Sequence, residues 1–436
     1  MKATGPDSCE SWKNAVLAGF IQIPVLISLK TTGVVFVGFL NKWQILRKEA
    51  SWPLTLFIAS SQIFAPIFPL LQKRFSASSL LIFSGALITI SQCLTYFAGS
   101  VFHFSISFVF QGFAISGVYM YSTLIFMQHF RTKRTAATGL ASTISSGTTT
   151  FAPNILQKLI NELGIRMTMP LLSVASLTSL ILSLFLKSPQ WFLDEMEERE
   201  KVRSATQVEE QELVDPRDTS ETSTMENSSH YMLSGKFIMD VFCIIVIYNA
   251  NNTFLMIVFD HARDQGIEET SALLVLPFCA VGDLMMRIMS GILIDGKLIS
   301  WQVLFAASFL VEATSLIFWV TSSTLPSLLV LSVLVGGCNG ALVSLIPVLL
   351  VNDFGISRFT ESLGASLMAC GIVTCFRPLL DGYFRDVRGS YDGMFLVLLA
   401  LCVPCGIYWL SRSVYHIRML PSEALQKRAN VDVEST

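Results

Sequence analysis

The chain has 436 residues, of which 52% are hydrophobic and only 14% charged, and its formal net charge is −2. A soluble domain carries about 25% charged residues. This composition, with a mean hydropathy of +0.58, points to an all-α integral membrane protein and argues against a nucleic-acid partner. The nine cysteines sit mostly inside apolar stretches; the one CxxC, Cys402-Val-Pro-Cys405, lies within the last run and has no second pair and no Cys/His set at metal-ligand spacing. They read as small buried hydrophobes, and neither a metal nor a cofactor is expected.

The opening MKATGPDSCESWKN is polar and lacks a short apolar core followed by a small-residue cleavage site. It reads as a retained cytosolic N-terminus, residues 1–13, rather than a signal peptide. Apolar runs follow at 14–40, 54–72, 78–98, 101–128, 137–160 and 168–186, then at 237–259, 271–294, 300–321, 325–352, 362–382 and 393–413. Each is close to the roughly 20 residues that a membrane helix needs.

The interruption between the two sets, 188–235, holds twelve acids and four bases and is rich in Ser and Thr. It reads as a mostly disordered acidic linker with helical character over Asp194–Glu212. Its Asn227-Ser228-Ser229 sequon is a chance match if the linker is cytosolic.

Lysine and arginine counts orient the spans. With both termini inside, nineteen of the 30 Lys and Arg fall in cytosolic segments, eight outside and three within spans. The first outer loop, with Lys42, Arg47 and Lys48, runs against that bias. Six spans (14–187), an acidic linker (188–235), six more (236–413) and a cytosolic tail (414–436) form the plan of the major facilitator fold. In that fold the substrate site lies near the bilayer midplane and access alternates between the two sides.

The informative residues are ionisable groups inside spans. Lys30 lies in the first run, and Asp283 and Arg287 lie near the middle of the eighth. Each costs about 2.5–3.5 kcal/mol at a helix centre, which a wet cavity or a mutual pairing must offset. Asp283 and Arg287 are four apart, hence on one helical face. One reading makes them an internal salt bridge, with Lys30 snorkelling outward. The other places all three on a cavity, where the guanidinium fork binds an organic carboxylate while Lys30 and Asp283 exchange a proton.

Arg377, with Asp381 four residues on, reads equally as a gate or as a pair at the cavity mouth. Asn249 and Asn252, in the polar run of the seventh span, either pack between helices or line the cavity.

At these residues the chain resembles the monocarboxylate transporter family of the major facilitator superfamily. Lys30 in SLKTTGVVF and Asp283-Leu-Met-Met-Arg287 match its first- and eighth-span charges. Pro6-Asp7 and Trp12 echo its opening motif, and Ser51-Trp52 matches the start of its second span. HFRTKRTAATGLAS, His129–Ser142, resembles its basic loop before the fifth span. Pro153, Gly164-Ile165-Arg166, and Gly382, Asp386, Gly389 and Tyr391 follow in order. Departures occur at PDSCESW, Phe75, Ile144 and Ile288, which mark a divergent member.

The resemblance implies a plasma-membrane, proton-linked symporter of small monocarboxylates such as lactate or pyruvate. Arg287 would bind the carboxylate together with Lys30, and Lys30 and Asp283 would carry the proton. Lys133 and Arg134 would lie on a cytosolic loop that latches the halves. A single-span immunoglobulin-type glycoprotein is implied as accessory partner. Two rivals stand beside this: a pH-independent facilitator of larger or aromatic carboxylated substrates, and a non-transporting receptor or scaffold. No nucleophile–base pair, phosphate loop or metal set supports an enzyme.

Overall fold

A computed structural model describes residues 5–31, 34–35, 38, 47–213 and 231–434. The expected disordered stretch over 214–230, with its Asn227 sequon, and Lys42 of the first outer loop lie outside the described residues, as do the side chains of Arg47, Lys48, Ser51 and Trp52.

The described chain is helical throughout. In order come α1 (Cys9–Ile21), α2 (Ile23–Lys30), α3 (Arg47–Ile63), α4 (Ile67–Gln72), α5 (Ala77–Phe97), α6 (Val101–Gln128), α7 (Arg134–Thr148) and α8 (Ala152–Ser183). The linker helix α9 (Gln190–Leu213) and a 3₁₀ turn at Tyr231–Leu233 follow. Then come α10 (Gly235–Asp264), α11 (Glu269–Ala272), α12 (Val275–Asp295), α13 (Trp301–Thr321), α14 (Leu325–Phe354), α15 (Phe359–Gly382) and α16 (Asp392–Glu434).

Serine starts many of these helices. The hydroxyls of Ser8, Ser76, Ser100 and Ser300 each accept from the amide three residues on, satisfying an otherwise orphaned donor for about 1 kcal/mol apiece. Breaks follow backbone chemistry. Pro24 opens α2 directly after α1. Gly164, with φ 78° and ψ 155°, folds α8 back inside what is otherwise one 32-residue helix. Only glycine adopts that conformation readily.

Ten stretches among the described residues are long and apolar enough to cross a membrane. One of them, Arg134–Ser183, is two spans divided at Gly164. The second run, broken into α3 and α4 around Pro66, completes twelve.

The chain divides into two compact units: residues 1–245 with 347–376, and residues 246–346 with 377–436. In the first unit α6 is the central helix. Its Tyr121 hydroxyl donates to the Phe68 carbonyl at 2.7 Å, and its Phe108 ring packs 5.3 Å from Phe57 of α3.

The linker is tied to this unit at both ends. Arg131 forms an ion pair with Glu195 of α9 and stacks 5.3 Å from the Trp191 ring. Tyr231 lies under the Arg358 guanidinium at 4.7 Å and donates to Glu361 at 3.4 Å. Burial, then the Glu361 carboxylate, pushes its hydroxyl up to about 12. The acidic linker is thus helical over Gln190–Leu213, its first half, which includes the expected stretch Asp194–Glu212.

In the second unit α13 packs along α16, and Phe254, Trp319, Phe395 and Leu398 build a common core. His261 sits on that core, its ring 4.9 Å from Phe395 and its Nδ1 3.6 Å from Asp392.

Candidate substrate and proton site

Backbone contact between α12 and α14 fixes the position of the acid. A Cβ on Gly282 would stand 2.1 Å from the Val333 carbonyl oxygen, and one on Gly336 would stand 2.0 Å from that of Cys279. A Cβ on Gly340 would meet the carbonyl oxygen of Asp283 itself at 2.2 Å. Small residues at such a seam let membrane helices approach to backbone distance, where dispersion replaces the hydrophobic drive that lipid cannot supply. Asp283 is therefore held by the helix pair and not by α12 alone.

From that anchored turn the two charges meet side on. Arg287 Nε donates to Asp283 Oδ2 at 2.9 Å and Nη2 donates to Oδ1 at 2.9 Å. The side chains are 11% and 18% exposed, respectively. One turn on, Ser290 Oγ donates to the Arg287 carbonyl at 3.0 Å and lies 3.3 Å from Ser344 Oγ of α14. The salt-bridge reading of the sequence thus describes this state. A bidentate pair is also a carboxylate-binding geometry already occupied by an internal carboxylate.

Asn249 and Asn252 lie three apart on α10 and are half-buried. Arg377 comes down on the same helix one turn further along, its Nη2 3.2 Å from Met256 Sδ. The Asp381 side chain, its expected partner, lies outside the described residues.

Lys30 belongs to the first unit. It ends α2, and its Nζ donates to the Ser146 carbonyl at 3.1 Å and lies 3.4 Å from Ser146 Oγ. Two residues back, Ser28 Oγ accepts from Gln92 at 2.9 Å and from Gln111 at 3.1 Å. These amides border a cavity of about 20 Å³ also lined by Thr31 and Thr95 on its polar side and by Phe57 and Phe108 on its apolar side, room for about one water. That cluster escapes sequence reasoning, because it gathers short polar side chains from α2, α5 and α6.

Lys133 and Arg134 begin α7, and the structure ties them to the N-terminal segment. Asp7, at φ 56°, accepts from the Lys133 amide at 3.1 Å and from the Thr132 amide at 3.2 Å. A carboxylate here meets the positive end of the helix dipole. Arg134 Nε donates to the Phe130 carbonyl at 2.9 Å. The span charges named from the sequence omit Glu312 in the ninth run, although a lone acid among apolar residues carries the same signal.

The sequence pattern of the Major Facilitator Superfamily matches residues 18–341, about three quarters of the chain. The chain belongs to the major facilitator superfamily. It is a multi-pass membrane transporter and not an enzyme.

The chain is 24% identical to monocarboxylate transporter 2 of Mesocricetus auratus, over 99% of its own length and 90% of that protein. It is 25% identical to monocarboxylate transporter 13 of Rattus norvegicus, over 90% and 86%. With monocarboxylate transporter 12 of Xenopus laevis the identity is 21%, over 99% and 95%. Among solved structures it is similar to the proton:xylose symporter XylE bound to 6-bromo-6-deoxy-D-glucose, with a TM-score of 0.66 and 14% identity. That match spans 92% of this chain and 94% of the other, and it bears on the fold alone.

Proposed function

We propose that this chain moves small monocarboxylates together with a proton across the plasma membrane by alternating access. The observation that carries the reading is the side-on Arg287–Asp283 pair inside the eighth span. An incoming carboxylate takes the place of the Asp283 carboxylate on the guanidinium fork, and Asp283 accepts the proton that arrives with it. The empty site holds one positive and one negative charge. The loaded site holds the guanidinium, the substrate anion and a neutral acid, so its charge is unchanged. That balance lets the loaded protein cross its transition without moving net charge through a low-dielectric interior.

Lys30 serves as the second binding and proton group, and Arg377, Asn249 and Asn252 line or gate the path. Lys133 and Arg134 hold the cytosolic loop that latches two six-span halves, 14–187 and 236–413. Both termini are cytosolic, and a single-span immunoglobulin-type glycoprotein escorts the chain to the surface. The names of the relatives support the substrate class.

The test is uptake of labelled lactate or pyruvate at external pH of about 6 and about 8, in wild type, Lys30→Ala and Arg287→Ala, with surface expression measured. The expected outcome is uptake that rises at the lower pH and vanishes in both variants. Full activity in either variant overturns its assignment. Uptake indifferent to pH moves the reading to a facilitator of larger carboxylated substrates, and none at either pH moves it to a receptor.

A further inference from the structure

The second unit contains a carboxyl group that the proposed cycle does not use. Glu312 is the twelfth residue of α13, at the middle of the ninth span. It is 2% exposed. Its neighbours along the helix are as deeply placed: Phe305, Phe309, Ala313 and Leu316 are buried. Ser308 and Ser315, one turn to either side, are buried on the same stripe, but Ser315 spends its hydroxyl on the Val311 carbonyl at 2.7 Å.

Among the described residues, Glu312 has neither a hydrogen-bond donor nor a Lys, Arg or His in ion-pair reach. Cys279 of α12 and Cys338 of α14 lie within its electrostatic reach. On α16, packed along α13, Cys402 and Cys405 are buried thiols, and the cation Arg412 sits over the Trp301 and Trp409 rings. His261 of α10 touches Trp319, two turns away.

An ionised carboxylate in such a setting lacks both water and a counter-charge, which costs several kcal/mol. A proton on the group removes most of that cost. A retained acid at the depth of a span centre calls for a function.

Position supplies one. Cys279 lies one turn before Asp283 on α12 and within electrostatic reach of both Asp283 and Glu312. The α12–α14 seam formed by Gly282, Gly336 and Gly340 runs through the same turns. Glu312 is therefore in electrostatic reach of one residue on each side of the α12–α14 seam, Cys279 and Cys338, so a shift of α12 against α14 would change its surroundings.

We propose that Glu312 is a further proton-binding site of this transporter, beside Asp283 and Lys30, one that holds a proton in the present state and releases and regains it during the cycle. The proposal rests on the proton-linked reading given above. Its ligand is the proton alone. The step forms and breaks one O–H bond at the Glu312 carboxyl, and the proton goes to or comes from water on the side that is open.

The experiment compares wild type, Glu312→Gln and Glu312→Asp, each checked for surface expression. Three readouts are taken: uptake at about pH 6 and about pH 8, exchange of internal for external labelled lactate at fixed pH, and the infrared C=O band of a neutral carboxylic acid in the purified protein in lipid. In wild type, uptake should rise several-fold at the lower pH. In Glu312→Gln the ratio of the two uptakes should fall below the wild-type value, Asp283 still carrying its own proton, while exchange, which needs no net proton movement, persists. In Glu312→Asp the rise should return at least in part. The carboxylic acid band should be present in wild type and missing in Glu312→Gln.

A Glu312→Gln variant with the wild-type uptake ratio, or an unchanged infrared band, overturns the Glu312 assignment and leaves the proton-linked reading standing. A wild type whose uptake ignores pH overturns the proton-linked reading itself, whatever Glu312 does. Loss of exchange together with uptake in a surface-expressed Glu312→Gln would show a structural role and also overturns the proposal.

Discussion

The main-chain oxygen of Asp283 lies 2.2 Å from the point where a Cβ on Gly340 would stand. The acid at the centre of the proposed site is thus seated on the backbone of the neighbouring span, and there is no flexible side chain between them to give way. Gly340→Val should destabilise the protein by about 3 kcal/mol or more through backbone displacement, and should reduce uptake more than surface expression. Gly99→Ala, where nothing stands within 4 Å, should leave both unchanged. Thermal unfolding in detergent, with uptake in cells, separates the two.

Removing one partner of the Asp283–Arg287 pair leaves a charge without its counter-charge inside a span. Arg287→Ala and Asp283→Ala should each cost about 3–5 kcal/mol. The paired neutral change Asp283→Asn with Arg287→Gln should recover most of that stability without recovering transport. Recovery of uptake in the double variant would show that the pair is structural only.

The His129 ring is buried between the N-terminal helix and the end of α8. Its Nε2 donates to the Lys187 carbonyl at 3.0 Å, and its Nδ1 accepts from Asn14 at 3.5 Å. Burial lowers its pKa, against opposing contributions from the Lys187 carbonyl and Glu10. The unfolded chain titrates near 6.5, so below that pH the unfolded state binds more protons than the folded one, and stability falls on acidification. The melting temperature of wild type should therefore drop between about pH 7.5 and about pH 5.5 by more than that of His129→Gln.

Asp7 closes the first turn of α7 with two main-chain hydrogen bonds. Asp7→Ala should remove about 1 kcal/mol of capping energy and free the N-terminal segment. Limited proteolysis of the protein in lipid should then cut before Trp12 faster than in wild type, with α6 and α7 themselves resistant.

Gly164 has φ 78° and open space around its Cα. Gly164→Ala should cost about 1–3 kcal/mol from backbone strain alone. A variant as stable as wild type would mean that the turn between the fifth and sixth spans is free to adopt another form.

The order and spacing of apolar runs determined the helical, membrane-spanning fold, because a helix in lipid must satisfy its own backbone and its length is set by the bilayer. The i, i+4 spacing of Asp283 and Arg287 likewise determined that they share one face within reach of each other, since that relation is internal to one helix, and the structure decided that they pair. Tertiary structure alone decided the contacts made over long separations. Lys30 finds Ser146 across 116 residues, and Asp7 finds Lys133 across 126. It also decided which face of each span is covered, and with it that Glu312 is enclosed beside Cys279 and Cys338 while the flanking Val311 side chain stays exposed. Apolar residues surround each of these helices, so the sequence carries little amphipathic contrast to orient them. Their rotation follows from backbone fit at small residues, as at the Gly282–Gly336–Gly340 seam, which exists only once two helices have met.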